Sequence, residues 1–220
     1  MNVQHTDLAP ILEHLTEIPY RPQYQQMGRP GALSQLLLHP LAARRLRRAR
    51  AHVRRASRAG RTYDLIIWDA YRPHSVQLDI FNGYVHELIA TGMTEAEAAV
   101  AAVTFVRHPD GVYPHGTGGT VDLSLTVNGE PAKMGTGFDD FTHQAHRRWY
   151  IDHPPVARDD CEARDNRLIL DASMLRAGFV GIPDEWWHYE WGTKHWATVT
   201  GRRAVLTATI DRPTDSRVAS

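Results

Sequence analysis

A chain of 220 residues is the size of one domain with short appended segments. Its 25 Lys+Arg and 25 Asp+Glu cancel to a formal net charge of zero, which argues against dedicated nucleic-acid binding, and a composition 42% hydrophobic and 23% charged excludes wholesale disorder. Cys161 is the one cysteine beside 13 histidines, so no internal disulfide can form and any transition-metal site must use imidazole and carboxylate.

Residues 1–34 carry Pro10, Pro19, Pro22, Pro30 and two glycines, and read as an irregular lead-in packed on the domain. The N-terminus shows no basic start followed by an apolar run, and no stretch approaches the roughly 20 apolar residues of a membrane span. A cytoplasmic protein without membrane or nucleic-acid partners is therefore expected. Leu38, Ala42, Leu46, Ala49, Val53 and Ala56 recur at spacings of three and four and predict a helix over 35–59, stopped by Gly60. Residues 44–61 hold nine Arg and no acid. The reading adopted is the solvated back of an amphipathic helix, against a nucleic-acid or membrane patch.

Residues 64–69 (DLIIWD) predict a short buried strand, ended by Tyr71-Arg72-Pro73. Val76, Ile80, Val85, Leu88 and Ile89 supply the apolar positions of a helix over 75–91, and Thr94 with Glu97 fits a capping box opening another. The Gly- and Pro-rich stretch 108–120 is loop. Residues 121–127 alternate, with Val121, Leu123, Leu125 and Val127 on one face and Asp122, Ser124 and Thr126 on the other; Asn128-Gly129 then signals a hairpin. Helix and loop are expected over 139–153, a helix over 159–177 closed by Gly178, a strand over 185–191 and a last strand over 203–210, within a domain spanning 35–210. The polar tail 211–220 reads as frayed. Strands and helices mix without regular alternation, so the fold class is α+β.

Three segments gather chemistry. His115 precedes a glycine-rich turn, and Asp122 projects from the polar face of the strand that follows, so both can meet one point. His188 lies in another predicted strand. Two imidazoles and one carboxylate are a catalytic zinc set that leaves the fourth position to water. Glu185, three residues before His188, can serve as general base if it sits just outside the strand. Arg72, in a rigid turn after a buried strand, can stabilise developing oxyanion charge. Singly, a His–Asp pair seven apart or a Glu-x-x-His pattern arises readily by chance; the weight lies in their joint occurrence. Trp186 and Trp187 fall on opposite strand faces, one for the core and one for a pocket wall.

The segments Tyr113-Pro114-His115-Gly116-Thr117-Gly118-Gly119-Thr120-Val121-Asp122, Glu185-Trp186-Trp187-His188 and Trp68-Asp69-Ala70-Tyr71-Arg72-Pro73 resemble, in order and spacing, the motifs of the VanX-type D-alanyl-D-alanine dipeptidases. These belong to a zinc peptidase group that also holds D-Ala-D-Ala carboxypeptidases and the hedgehog-like zinc fold. The resemblance implies a central, mainly antiparallel sheet carrying the zinc site, flanked by helices. It implies one zinc ion per chain on His115, Asp122 and His188, with Glu185 as general base and Arg72 as the transition-state arginine. Met134-Gly135-Thr136-Gly137-Phe138-Asp139 matches a further family segment and makes Asp139 the candidate for the substrate ammonium. Tyr113 stands where the family has a serine at the substrate's amino end, and residues 20–34 lack the family's Asn-Phe-Thr-Gly stretch. The implied activity is hydrolysis of D-alanyl-D-alanine or a related dipeptide. The alternatives are a D,D-carboxypeptidase acting on longer cell-wall peptides and a zinc-binding domain without catalysis.

Overall fold

The structure, a computed structural model, describes residues 12–140 and 142–210, so the tail expected to fray lies outside the described residues. The lead-in begins with β1 (Glu13–His14), which pairs antiparallel with β2 (Leu37–Leu38); between them lies the one-turn helix α1 (Gln23–Gln26). Helix α2 (Pro40–Arg55) starts later than the apolar stripe predicts. Pro40 holds the residue before it out of the helical region, so His39 becomes the cap, its Nδ1 accepting from the Leu41 amide at 3.3 Å. The preceding leucines pair as a strand instead.

The chain continues through β3 (Tyr63–Asp69), α3 (His74–Ala90) and α4 (Glu95–Phe105), the last opened by the Thr94–Glu97 capping box. Then follow β4 (Thr120–Val127), β5 (Glu130–Pro131), α5 (Trp149–Asp152), α6 (Arg158–Arg176), β6 (Val180–Gly181), β7 (His188–Glu190) and α7 (Lys194–Thr200). The main sheet has the order β3-β4-β7-β6 with every pairing antiparallel, and β5 folds back on β4 through Asn128 and Gly129, at φ 54° and 87°. Two consecutive positive φ values are what a tight hairpin turn needs.

The alternation of β4 sets the layers. Val121, Leu123 and Leu125 join Leu65 and Ile67 of β3 in a core that includes Ala42, Leu46, Ala49 and Val53 of α2 and Leu170 and Met174 of α6. Shortening Leu46 to Ala is expected to cost about 2–5 kcal/mol, since it is fully enclosed. Asp122, Ser124 and Thr126, on the other face, are buried as well. That polar face is an interior surface.

Two expectations change. Residues 203–210 form no strand. The Val205 and Leu206 amides both donate to the Gly192 carbonyl and the Ile210 amide to that of Gly116, so this segment straps the glycine-rich turn. Its backbone donors are taken by loop carbonyls, which leaves no ladder to extend. The stretch 185–191 is strand only over β7, and both Trp186 and Trp187 are 1% exposed, so neither forms an open wall. The arginine-rich face of α2 is tied down in part: Arg47 pairs with Glu13 and Glu17, and Arg50 and Arg54 share Asp64.

Candidate metal centre

Backbone register brings the candidate ligands together. Asp122 on β4 is paired directly with His188 on β7, so their side chains are neighbours on one face of the sheet. His115 arrives from the turn before β4, where His115–Thr117 form one turn of 3-10 helix closed by Gly118 at φ 72°. That turn tolerates no side chain at Gly116, where a Cβ would lie 2.5 Å from the Tyr113 ring. On β3 the register slips by one residue between Ile67 and Asp69. Without this bulge Asp69 would face the helices; with it, Asp69 pairs with Asp122 and turns to the site.

The imidazoles are oriented by their outer nitrogens. His115 Nδ1 lies 2.7 Å from the Ala70 carbonyl and 3.2 Å from Asp69 Oδ2, both acceptors, so Nδ1 carries the proton and Nε2 is a bare lone pair. His188 Nε2 lies 3.1 Å from Glu190 Oε1, and Thr193 donates to the other Glu190 oxygen. His188 therefore presents Nδ1 to the site. Inside, His115 Nε2 is buried without a hydrogen-bond partner although Asp122 Oδ2 stands 3.2 Å away, and His188 Nδ1 is 3.0 Å from Asp122 Oδ1. Acceptors facing acceptors need a cation between them. One ligand atom from each of His115, Asp122 and His188 lies within 4.8 Å of the others, and two neutral imidazoles with a carboxylate are a zinc-type donor set. The donor chemistry and the orphaned Nε2 fit such an ion, and the outer hydrogen bonds are those that orient ligating histidines.

Charge around this point is one network. Burial opposes a charge on His188, but hydrogen bonds with Asp122 and Glu190 outweigh it and, with no cation at Nδ1, hold the imidazole pKa well above its ordinary value; a cation bound there would take the place of that proton. Glu185 precedes β7 by three residues, as a shared site requires, and its Oε2 lies 3.6 Å from His188 Nδ1. Burial pushes the Glu185 carboxyl up to about 7, with His188 opposing and Asp122 adding to the rise. A carboxyl poised there can both take and return a proton near neutral pH. Arg72 follows the bulge. Its Nε bonds Asp69 at 2.8 Å, Nη1 bonds Gln77 at 2.9 Å, and Nη2 reaches Tyr24 at 3.3 Å and Asp122 at 3.4 Å. Burial works against its charge, but Tyr24, Asp69, Asp122 and Asp139 more than restore it.

Asp139 sits at φ 56°, a left-handed conformation that aspartate tolerates better than most residues, and accepts from the Tyr24 hydroxyl at 3.0 Å. Burial pushes its carboxyl up to about 7; Asp122 adds to this and Arg72 opposes it. Tyr113 is placed differently from the substrate-end expectation. It is 2% exposed and its hydroxyl donates to the Arg72 carbonyl at 3.1 Å, which ties the Arg72 turn to the loop carrying His115.

Sequence reasoning missed four members of the site: Tyr24, Asp69, Gln77 and Glu190. Glu190 had a readable signal, since residues two apart on a strand share a face. Asp69 had a misleading one, because strand parity points it away from Asp122 until the bulge is known. Tyr24 lay in a segment with no periodic pattern.

Residues 17–203 match the family model described as D-ala-D-ala dipeptidase. The D-alanyl-D-alanine dipeptidase of Escherichia coli (strain K12) is 33% identical over 127 residues, covering 57% of this chain and 54% of that one. The protein of the same name from Enterococcus faecalis (strain ATCC 700802 / V583) is 29% identical over 155 residues, covering 66% and 68%. The chain thus spans about half the length of the first of these relatives. Among solved structures, VanYB in complex with D-Alanine-D-Alanine superposes with a TM-score of 0.52 at 19% identity, covering 90% of this chain and 88% of that one, and so shares the fold.

Proposed function

The chain belongs to the D-Ala-D-Ala dipeptidase family, and on that premise we propose that it is a zinc-dependent dipeptidase hydrolysing D-alanyl-D-alanine or a related D-amino-acid dipeptide. The observation that carries this reading is the set of facing lone pairs on His115, Asp122 and His188 with Glu185 and Arg72 beside it. One zinc ion held by His115 Nε2, Asp122 and His188 Nδ1 would supply Lewis-acid polarisation and acidify water.

The chain's own residues then divide the work. Glu185 accepts a proton from the attacking water at its carboxylate and delivers it to the leaving amine nitrogen as the C–N bond breaks. Arg72, held by Asp69, Gln77 and Tyr24, offers fixed N–H donors to the charge that develops on the carbonyl oxygen. Asp139, a carboxylate without an ion pair among the described residues, takes the substrate's ammonium. Tyr113 keeps the Arg72 turn in place. The substrate is a small free zwitterion, met in the cytoplasm in the course of cell-wall turnover, with no nucleic-acid or membrane partner. No helix among the described residues is long and apolar enough to cross a membrane.

A panel of D-Ala-D-Ala, L,L- and mixed-chirality dipeptides and a D-Ala-D-Ala-terminated pentapeptide, assayed with and without chelator, tests the reading. Chelator-sensitive turnover restricted to dipeptides is expected. Turnover of the pentapeptide alone would assign a carboxypeptidase, and no turnover of any member would leave a binding domain. Glu185→Gln is expected to lower kcat by roughly 10²–10⁴ with zinc content unchanged.

A further inference from the structure

Tyr24 comes from the lead-in yet ends in the middle of the site. The segment is fixed to β3: the Arg21 amide donates to the Ile67 carbonyl and the Ile67 amide to that of Pro19, both at 2.9 Å. The Arg29 amide closes the next turn on the Tyr24 carbonyl, and Arg29 pairs with Asp79 on α3. So anchored, the Tyr24 ring is 5% exposed and packs edge-on against Phe138, the neighbour of Asp139. The Arg72 guanidinium carbon lies 4.7 Å from the ring centroid.

The hydroxyl makes two unlike bonds. Its single hydrogen goes to Asp139 Oδ2 at 3.0 Å, and an oxygen lone pair accepts from Arg72 Nη2 at 3.3 Å. Arg72 and Asp139 would otherwise be free to close into a direct ion pair. The hydroxyl stands between them and holds the acid apart from the cation while satisfying one oxygen of each demand. One Asp139 oxygen is engaged in this way, and among the described residues the second is left for an incoming cation.

We propose that Tyr24 is a specificity-determining, positioning residue: its hydroxyl spaces Asp139 from Arg72, so that the site accepts a ligand whose ammonium and scissile carbonyl belong to one and the same residue. The lead-in is on this view part of the recognition surface. The inference rests on the dipeptidase reading of the site, and concerns the free amino end of the substrate alone.

Tyr24→Phe removes the hydroxyl and keeps the ring. With D-Ala-D-Ala it is expected to raise KM by roughly 10–100-fold, the worth of a hydrogen bond to a charged group, with a smaller change in kcat. With N-acetyl-D-Ala-D-Ala, which has no ammonium, variant and wild type are expected to agree within a factor of about two to three. Melting temperature and zinc content, measured on both proteins, separate a folding defect from this pattern. A double-mutant cycle with Asp139→Asn gives a second readout: the two substitutions are expected to be strongly non-additive on the free dipeptide. Equal losses on the free and acetylated dipeptides, no loss on either, or additive effects would overturn the proposal. Wild-type protein that hydrolyses neither dipeptide overturns the dipeptidase reading instead. Calorimetric titration of both dipeptides into the Glu185→Gln protein, with and without Tyr24→Phe, then still decides on Tyr24: selective loss of free-dipeptide affinity supports it, and equal binding or no binding overturns it.

Discussion

Arg72 and Arg47 carry the same guanidinium into opposite surroundings. The Arg72 side chain is 8% exposed, and its fork is filled by Asp69, Gln77, Tyr24 and Asp122. The Arg47 side chain is 41% exposed on α2 and is met by Glu13 and Glu17 of the lead-in. Water screens the second arrangement and not the first. In the site, every charge is fixed by a partner that is itself fixed, so a change at one residue reaches the others. On α2, Arg50 and Arg54 share Asp64, and the Arg54 side chain is 55% exposed, so solvent can stand in for its half of the pairing. The density of arginine along 44–61 does not by itself mark a site, and the one arginine at the end of a bulged strand is held by more partners than any of the seven on α2.

Substitution can sharpen or break this contrast, and the largest effect is expected at Arg72. Lysine keeps the charge but cannot reproduce the fork to Asp69, Gln77 and Tyr24. Arg72→Lys is expected to lower kcat by roughly 10²–10³ with the zinc content of the wild type. A variant with wild-type kcat would show that the fixed fork does no work in the transition state. Next comes Glu190, which meets His188 at its outer nitrogen and is itself held by Thr193. Glu190→Gln is expected to weaken zinc affinity by about 10–100-fold, read by competition with a chromogenic chelator. Unchanged affinity would mean that the backbone of β7 alone orients the ring.

The smallest effects belong to α2. Arg47→Ala is expected to change unfolding free energy by no more than about 1 kcal/mol and to leave turnover alone, measured by urea melts and initial rates. Asp64 tests the same surface through pH. Burial raises its pKa, but hydrogen bonds from Arg50 and Arg54 outweigh that and hold it at about 2, below the ordinary 3.8. Its folded-state pKa is depressed, so its contribution is present above about pH 4 and is lost as pH falls toward about 2. Asp64→Asn should flatten the stability curve within that window and nowhere else. A loss at pH 7 as large as one in the site would erase the distinction between the two regions.

Local pattern carried far in this chain. The stripe of α2, the capping box of α4, the alternation of β4 and the turn at Asn128-Gly129 all follow from neighbours within a few residues, where sterics and side-chain period act directly. The start of α2 departs from the apolar period because Pro40 overrides it. Residues 203–210 have strand-like composition but no strand, because a strand needs a partner edge that sequence does not display.

His115, Asp122, His188, Glu185 and Arg72 were legible because motif and spacing mark each of them. Their partners were not. Asp69 faces the site only because β3 carries one extra residue against β4, and Glu190 matters only because β7 lies beside Asp122. Tyr24 reaches Asp139 across 115 positions of chain, and only where the lead-in docks along β3 is that bond possible. The sequence by itself determined the order of elements and the inventory of chemical groups, since both depend on short-range geometry. The tertiary structure decided which lone pairs face one another, because register, bulge and docking are set by partners distant in the chain.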